Sequence, residues 1–235
     1  MTQTKYLWQP MVWSPGQRDA LKTLALVLMA VDHAWRVLQL DPSWMFIAGR
    51  GAFPLFALVW GLNLAGRTLM QNGITRLWGW ALFAQLAWIV AGFPWSAGNI
   101  LFVFAVVAQA LKWSGRGDAF GYAGSAVLTA LWLPFSSSSY GGAGLLLLAL
   151  SYRLYRTPGT GRQGALMAGI LATVMWLNAG DGIVASLSGV GIMLMAGCAA
   201  RLLPARVPRF WPRDAFPLLY AGHLVLLALP GMLNS

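Results

Sequence analysis

The sequence predicts an all-α, polytopic transmembrane helix bundle with about nine spans. Only 9% of the 235 residues are charged, whereas a soluble domain carries about a quarter charged residues. The mean hydropathy is +0.64, and no polar stretch is long enough to fold as a second domain. We therefore expect a short cytoplasmic or interfacial segment over residues 1–19 and a single membrane domain over residues 20–235.

Nine apolar segments support this number of spans. Several are shorter than the ~20 residues that usually cross a bilayer. The fourth, sixth and seventh are the weakest, so eight or ten spans also fit. The segments cover residues 20–40, 44–66, 75–92, 98–112, 119–135, 142–156, 164–179, 182–200 and 215–233.

The basic residues test the order of these segments independently. With the N-terminus in the cytoplasm, 14 of the 16 Lys and Arg residues fall in inside segments and none in outside segments. Cytoplasmic loops of membrane proteins are enriched in Lys and Arg, and one missed helix would invert every later loop. The pattern predicts a cytoplasmic N-terminus and a periplasmic C-terminus. It also accounts for the net charge of +10 without a nucleic-acid partner.

Four ionisable residues lie deep inside the first two predicted helices and form the predicted buried charged cluster: Asp32, His33, Arg36 and Arg50. A charge at the bilayer centre costs about 2.5–3.5 kcal/mol on insertion scales, so such residues usually face a bundle interior and mark a functional path. Asp32 and Arg36 are four apart and can pair, whereas the neighbours Asp32 and His33 diverge by about 100°. Asp32 is thus expected to serve Arg36 rather than His33. A purely architectural Asp–Arg pair is the alternative.

Lys22 precedes His33 by eleven residues, which is close to three helical turns. Both side chains should leave one face of the helix, about 16 Å apart along its axis. A cation at the inner mouth and an imidazole deep inside suit a long anionic ligand held end to end. His223, in the last segment, either lines the same cavity or packs in the core.

The histidine and cysteine residues do not predict a metal site. The sequence holds two His residues and one Cys, which are too few for a typical zinc site. No metal is expected, and Cys198 is predicted to be a small buried hydrophobic residue.

Five long motifs extend over most of the chain, from Val12 to His223 and just beyond. They read VWSPGQRDALKTLALVLMAVDH, WMFIAGRGAFPLFALVWGLNL, AGFPWSAGNILF, SYGGAGLLLLALSYRLYR and RFWPRDAFPLLYAGHL. These motifs resemble the TraX family, the pilin acetylases of F-type conjugation systems. That family belongs with the broad group of transmembrane acyltransferases that includes the acyltransferase-3 proteins.

The resemblance implies an enzyme of the bacterial inner membrane that N-acetylates the N-terminal amine of the conjugative pilin. Its donor would be acetyl-CoA, and its partners the pilin subunit and membrane lipid. In the acyltransferase-3 group, a first-helix Arg precedes a catalytic His with ten residues between them. His33 matches that His, while Lys22 stands at the Arg position. The group commonly has ten helices, one more than the nine segments found here.

The resemblance therefore implies a role for each charged residue. His33 is expected to be the general base, with direct transfer and an acetyl-His intermediate equally compatible with the sequence. Arg50 or Arg36 would stabilise the developing oxyanion, and Asp32 would hold Arg36. The expected ligands of the CoA phosphates are Lys22 with Arg18, Arg67 or Arg76. A transport path or a structural subunit of a conjugation assembly is the non-enzymatic alternative.

Overall fold

The computed structural model describes residues 11–233, and every regular element in that part of the chain is helical. The predicted all-α fold is thereby confirmed. Ten α-helices follow one another, with short 3-10 turns in some connections. They are α1 Pro15–Val37, α2 Ser43–Gly49, α3 Ala52–Leu64, α4 Gln71–Val90, α5 Ile100–Ser114, α6 Ala119–Trp132, α7 Gly141–Leu154, α8 Thr160–Leu177, α9 Ile183–Ala199 and α10 Ala215–Leu233.

Each of the nine predicted apolar segments contains a helix. The tenth helix arises because the second segment, Ser43–Leu64, is divided into α2 and α3. The first helix begins earlier than its apolar run. Ser14 and Gln17 form a reciprocal capping box ahead of Pro15, the first helical residue. This cap starts a polar turn that hydropathy does not detect. The first ten residues of the predicted segment 1–19 lie outside the described part of the chain.

Three of the segments are long and apolar enough to cross a membrane by length and composition: Ser43–Leu64, Ile183–Leu202 and Ala215–Leu233. The bent pair Ala119–Phe135 and Ser137–Leu154, with an angle of 105°, would add a fourth as one broken span. Helix α5 has 15 residues, or about 22 Å of length, against a hydrocarbon core of about 30 Å. How many of the nine segments cross the bilayer stays a prediction.

The surface supports the membrane assignment independently of segment length. Large apolar side chains are exposed on several helices, including Leu86 of α4, Leu131 of α6 and Leu226 of α10. Soluble monomers rarely expose contiguous apolar surface of this kind, whereas lipid tails solvate it. Cys198 also lies on the exposed surface, so the prediction that it is buried is wrong. Its neighbours on α9 make a helix that is apolar all round, and such a helix gives no signal for which face is inward.

The chain divides into two compact units, Met1–Arg67 with Leu150–Arg213, and Thr68–Ala149 with Asp214–Ser235. In the first unit, α1 packs on α2 and α3, and α9 packs on α2, α3 and α8. In the second unit, α4 packs on α5 and α10, and α5 packs on α6. The single membrane domain over residues 20–235 stays a prediction.

Close backbone contact at Gly61 joins α3 to α7 within the first unit. A Cβ atom placed at Gly61 would overlap the carbonyl group of Ser151. Because backbone atoms of a helix cannot move aside, this approach requires glycine. Small residues at such crossings are typical of membrane helices, which associate through close packing.

We predict that Gly61→Ala destabilises the protein by about 1–3 kcal/mol, the usual cost of overpacking a tight site. Gly191→Ala is the matched control, because Gly191 also lies inside an apolar helix and its Cβ would meet open space. Thermal unfolding of detergent-solubilised protein, followed by tryptophan fluorescence, measures both. Equal midpoints for the two variants would contradict the close α3–α7 contact.

Candidate functional site

Arg50 lies at the break between α2 and α3. Its backbone N–H donates to the Ile47 carbonyl rather than to that of Phe46, so the break leaves the Phe46 carbonyl without its usual helical partner. The Arg50 side chain replaces that partner, because Nε donates to the Phe46 oxygen at 3.2 Å. A broken helix in a membrane protein needs such internal compensation, since lipid offers no hydrogen-bond donors.

The rest of the Arg50 guanidinium bridges two carboxylates. One terminal nitrogen donates to Asp32 Oδ1 of α1 at 2.6 Å, and the other to Asp181 Oδ2 at 3.1 Å. Asp181 lies in the connection between α8 and α9. The Arg50 side chain is only 4% exposed. One buried cation therefore ties together the first helix, the α2–α3 break and the α8–α9 connection.

Asp32 holds Arg36 as predicted. Arg36 Nε donates to Asp32 Oδ2 at 3.0 Å, so each oxygen of this carboxylate accepts from a different arginine. The ring of Phe46 lies beside both cations, with guanidinium carbons at 4.1 Å for Arg50 and 5.8 Å for Arg36. Arg36 keeps 42% of its side chain exposed. Of the two arginines, Arg36 is therefore the one that can turn toward a ligand.

Two glycines that flank Arg50 let neighbouring helices of the first unit approach closely. A Cβ at Gly49 would overlap the Asp32 side chain, and a Cβ at Gly51 would overlap Ile192 of α9. The Gly-Arg-Gly sequence thus lets α1 and α9 approach on both sides of the arginine. Close packing therefore accounts for both glycines.

His33 lies on α1 next to Asp32 in sequence and is half-buried. Helix α1 runs without interruption from Pro15 to Val37, so Lys22 and His33 belong to one helix, and the distance predicted between their side chains stays a prediction. His223 belongs to the second unit, on α10, with its ring Nδ1 3.2 Å from the Leu219 carbonyl oxygen. That His223 lines the same cavity as His33 stays a prediction.

A second buried charged cluster, which the sequence reasoning did not predict, is centred on Asp19. Its side chain is 2% exposed. Oδ1 lies 2.5 Å from Lys22 Nζ, while Oδ2 accepts hydrogen bonds from the backbone N–H groups of Phe210 and Trp211 at 3.0 and 3.1 Å. Lys22, expected to hold a phosphate, is therefore already paired with a carboxylate.

The other predicted phosphate ligands divide between the two units. Arg18 belongs to the first unit and donates to Asn63 Oδ1 at 2.9 Å, while its buried Nε has no hydrogen-bond partner. Arg67 also belongs to the first unit and is exposed just after α3. Arg76 belongs to the second unit, where its Nε lies 3.4 Å from Asp214.

Comparison with known proteins identifies the family to which the chain belongs. The family model described as "TraX protein" matches residues 17–230. The chain belongs to the TraX family. It is 50% identical over 224 residues to Protein TraX of Escherichia coli, covering 93% of this chain and 89% of the relative. It is also 50% identical over 229 residues to Protein TraX of Escherichia coli strain K12, covering 95% and 91%. No solved structure matches.

The TraX match covers both charged clusters, including the two carboxylates that sequence reasoning missed. Asp181 lies in a short connection predicted to be outside the membrane, so it carried no sign of an inward role. Asp19 lies in a polar turn before the first apolar run. If the capping box at Ser14 had been recognised in the sequence, the predicted first helix would have begun early enough to include Asp19. Asp19 and Lys22, three residues apart, would then have been expected on one face of that helix.

We predict that Arg50→Met destabilises this TraX-family chain by about 3–5 kcal/mol, because it removes the buried donor shared by the Asp32 carboxylate and the Phe46 carbonyl. Arg36→Met is the matched control, since it removes the other arginine on Asp32. Its half-exposed pair should be worth about 1 kcal/mol or less. Thermal unfolding in detergent measures both. Equal losses would show that Arg50 is not the principal cross-link.

Proposed function

We propose that the protein is an acetyltransferase embedded in the bacterial inner membrane, which transfers acetyl from acetyl-CoA to the N-terminal amine of the conjugative pilin. The observation that carries this proposal is the layout of α1. Arg18 and Lys22, here called the cationic cluster, lie in its N-terminal half, and His33 follows Lys22 by eleven residues on the same uninterrupted helix. Membership of the TraX family adds support through the family's resemblance to transmembrane acyltransferases.

The cationic cluster suits the phosphates of a CoA donor. Arg18 has a buried Nε that lacks a hydrogen-bond acceptor, and the cations near it outnumber the single carboxylate Asp19. Phosphate oxygens satisfy such donors with strong, charge-assisted hydrogen bonds. Arg18, Lys22 and Arg67, all of the first unit, would bind the nucleotide end. The donor supplies a thioester, whose acetyl group forms an amide with the amine as the CoA thiol is released.

His33 would act as the general base. The α-amine of a peptide has a pKa of about 7.7–8.0, so the neutral nucleophile is present near neutral pH. The amine must still lose a proton as its nitrogen bonds to the acetyl carbon, and His33 would accept that proton. General-base catalysis of this kind is worth about 10²–10⁴-fold.

The arginines would divide two tasks. Arg36 is half exposed, neighbours His33 on the helix surface at a spacing of three residues, and would donate to the acetyl oxygen as negative charge develops there. All three side-chain nitrogens of Arg50 already donate to Phe46, Asp32 and Asp181. Arg50 would therefore position Asp32, and Asp32 in turn would orient Arg36.

The reaction is tested with purified protein, acetyl-CoA and a peptide that carries the pilin N-terminus. We predict that wild-type protein increases the peptide mass by one acetyl group, and that His33→Ala lowers the rate by about 10²-fold or more because the base is lost. Mass spectrometry of the peptide measures both.

The control for this experiment is Cys198→Ala, which removes the only thiol of the chain and is expected to transfer acetyl at the wild-type rate. Transfer by His33→Ala at the wild-type rate would remove His33 from the mechanism. Wild-type protein that neither transfers acetyl nor binds a labelled CoA analogue would favour a non-enzymatic transport or structural role.

We predict that Lys22→Ala raises the KM for acetyl-CoA more than it lowers kcat, because a group that holds the distant nucleotide end contributes binding equally in the ground and transition states. Initial rates across acetyl-CoA concentrations measure the split. A fall in kcat with an unchanged KM would indicate that Lys22 acts on Asp19 and the fold of α1, with no direct contact to phosphate.

A further inference from the structure

We propose that the loop of residues 203–211 is a phosphate-binding element, and that its Arg209 binds a phosphate monoester of a soluble nucleotide together with Arg18. This inference deepens the proposed function, because the 3′-phosphate of CoA is such a monoester. It adds a binding residue from a part of the chain distant in sequence from α1.

The C-terminal end of the 203–211 loop is hydrogen-bonded to α1. The backbone N–H groups of Phe210 and Trp211 donate to Asp19 Oδ2. The indole Nε1 of Trp211 donates to Thr23 Oγ1 at 2.8 Å, and that hydroxyl donates to the Asp19 carbonyl oxygen at 2.9 Å. The backbone that follows Arg209 is thereby fixed against the first turns of α1.

The other end of the loop is fastened as well. Gln17 Nε2 donates to the Leu203 carbonyl oxygen at 2.7 Å. Gly16 lies so close to the loop that a Cβ there would come within 2.8 Å of the Pro208 carbonyl oxygen. A loop held at both ends presents its side chains without the entropy loss that ordering a mobile loop would require.

Arg209 is held near Asp19 but is not saturated by it. Its Nε lies 4.0 Å from Asp19 Oδ2, and its side chain is 53% exposed. Asp19 is already satisfied by Lys22 and by two backbone N–H groups. The fork of the Arg209 guanidinium can therefore turn toward a ligand, and this geometry suits two oxygens of one phosphate.

Arg18 provides an independent sign that an anion binds here. Its Nε is buried and has no hydrogen-bond partner, although buried donors are almost always paired in proteins. The charges of Arg209 and Arg67 act on the same guanidinium. Arg18, Lys22 and Arg209 set three cations against one carboxylate, so an added anion would offset the excess charge.

The ligand chemistry follows from this charge excess. A phosphate monoester carries about −1.5 to −2 at neutral pH, which matches a surplus of two positive charges better than the single negative charge of a phospholipid diester. A lipid headgroup is the other source of phosphate near a membrane, and the experiment separates the two.

The test uses full-length protein in nanodiscs of neutral lipid, with adenosine 3′,5′-bisphosphate as the probe and equilibrium binding as the readout. Arg209→Gln is expected to weaken binding by about 10-fold or more, the loss typical of a hydrogen bond to a charged group. Arg206→Gln is the matched control, because it removes the same charge from an exposed position of the same loop and should change binding by less than about 2-fold at physiological salt, where exposed charges are screened.

Arg209→Lys keeps the charge but lacks the planar fork, so intermediate affinity is expected; this variant also serves if Arg209→Gln fails to fold. Equal weakening by the Arg206 and Arg209 variants would overturn the proposal in favour of general electrostatic attraction. A response of Arg209 only to phosphatidylglycerol in the nanodisc, with no bisphosphate binding, would overturn the nucleotide as ligand.

Acetyl transfer by the same preparation separates this inference from the proposed function. Bisphosphate binding that depends on Arg209, in wild-type protein that transfers no acetyl, would overturn the acetyltransferase and leave the phosphate site intact. Acetyl transfer by wild-type protein, with bisphosphate binding undiminished in Arg209→Gln, would overturn the phosphate site and leave the acetyltransferase intact.

Discussion

The buried guanidinium of Arg50 is the interaction on which the first unit depends. It satisfies the Phe46 carbonyl that the α2–α3 break leaves unbonded, and it neutralises Asp32 and Asp181 in the same contact. Lipid offers no hydrogen-bond donor to the Phe46 carbonyl and no countercharge to the buried Asp32. One arginine therefore compensates both the break in the second segment and the negative charge of α1, and it also ties them to the connection between α8 and α9.

This constraint also places the candidate chemistry. Asp32 faces Arg50 with one oxygen and Arg36 with the other, so both oxygens of this carboxylate accept from arginines. Arg50 ties α1, the helix that carries His33, to the α2–α3 break and to the α8–α9 connection. The position of the candidate base therefore depends on this contact.

The sequence predicted what depends on local spacing and missed what depends on distant partners. The nine helical segments follow from hydropathy, and the Asp32–Arg36 pair follows from a spacing of four residues. The partners of Arg50 and Asp19 could not be predicted in this way. Asp181 is 131 residues from Arg50, and Trp211 is 192 residues from Asp19. The packing role of Gly49 and Gly51 could not be predicted either, because only the packed fold brings Asp32 and Ile192 against them.

Basic residues in this chain serve to predict its membrane topology and to form the proposed binding site. The cluster around Asp19 shows how these two roles are related. The prediction of topology requires only that Arg18, Lys22 and Arg209 lie on the cytoplasmic side, anywhere near the membrane surface. A binding site requires fixed positions, and mutual repulsion would spread three cations apart in loose loops. Asp19 supplies the opposing charge at the centre, and its bonds to the backbone of Phe210 and Trp211 bring a remote basic loop onto α1. One buried carboxylate thus converts a distribution of charge into a defined arrangement that a phosphate can bind.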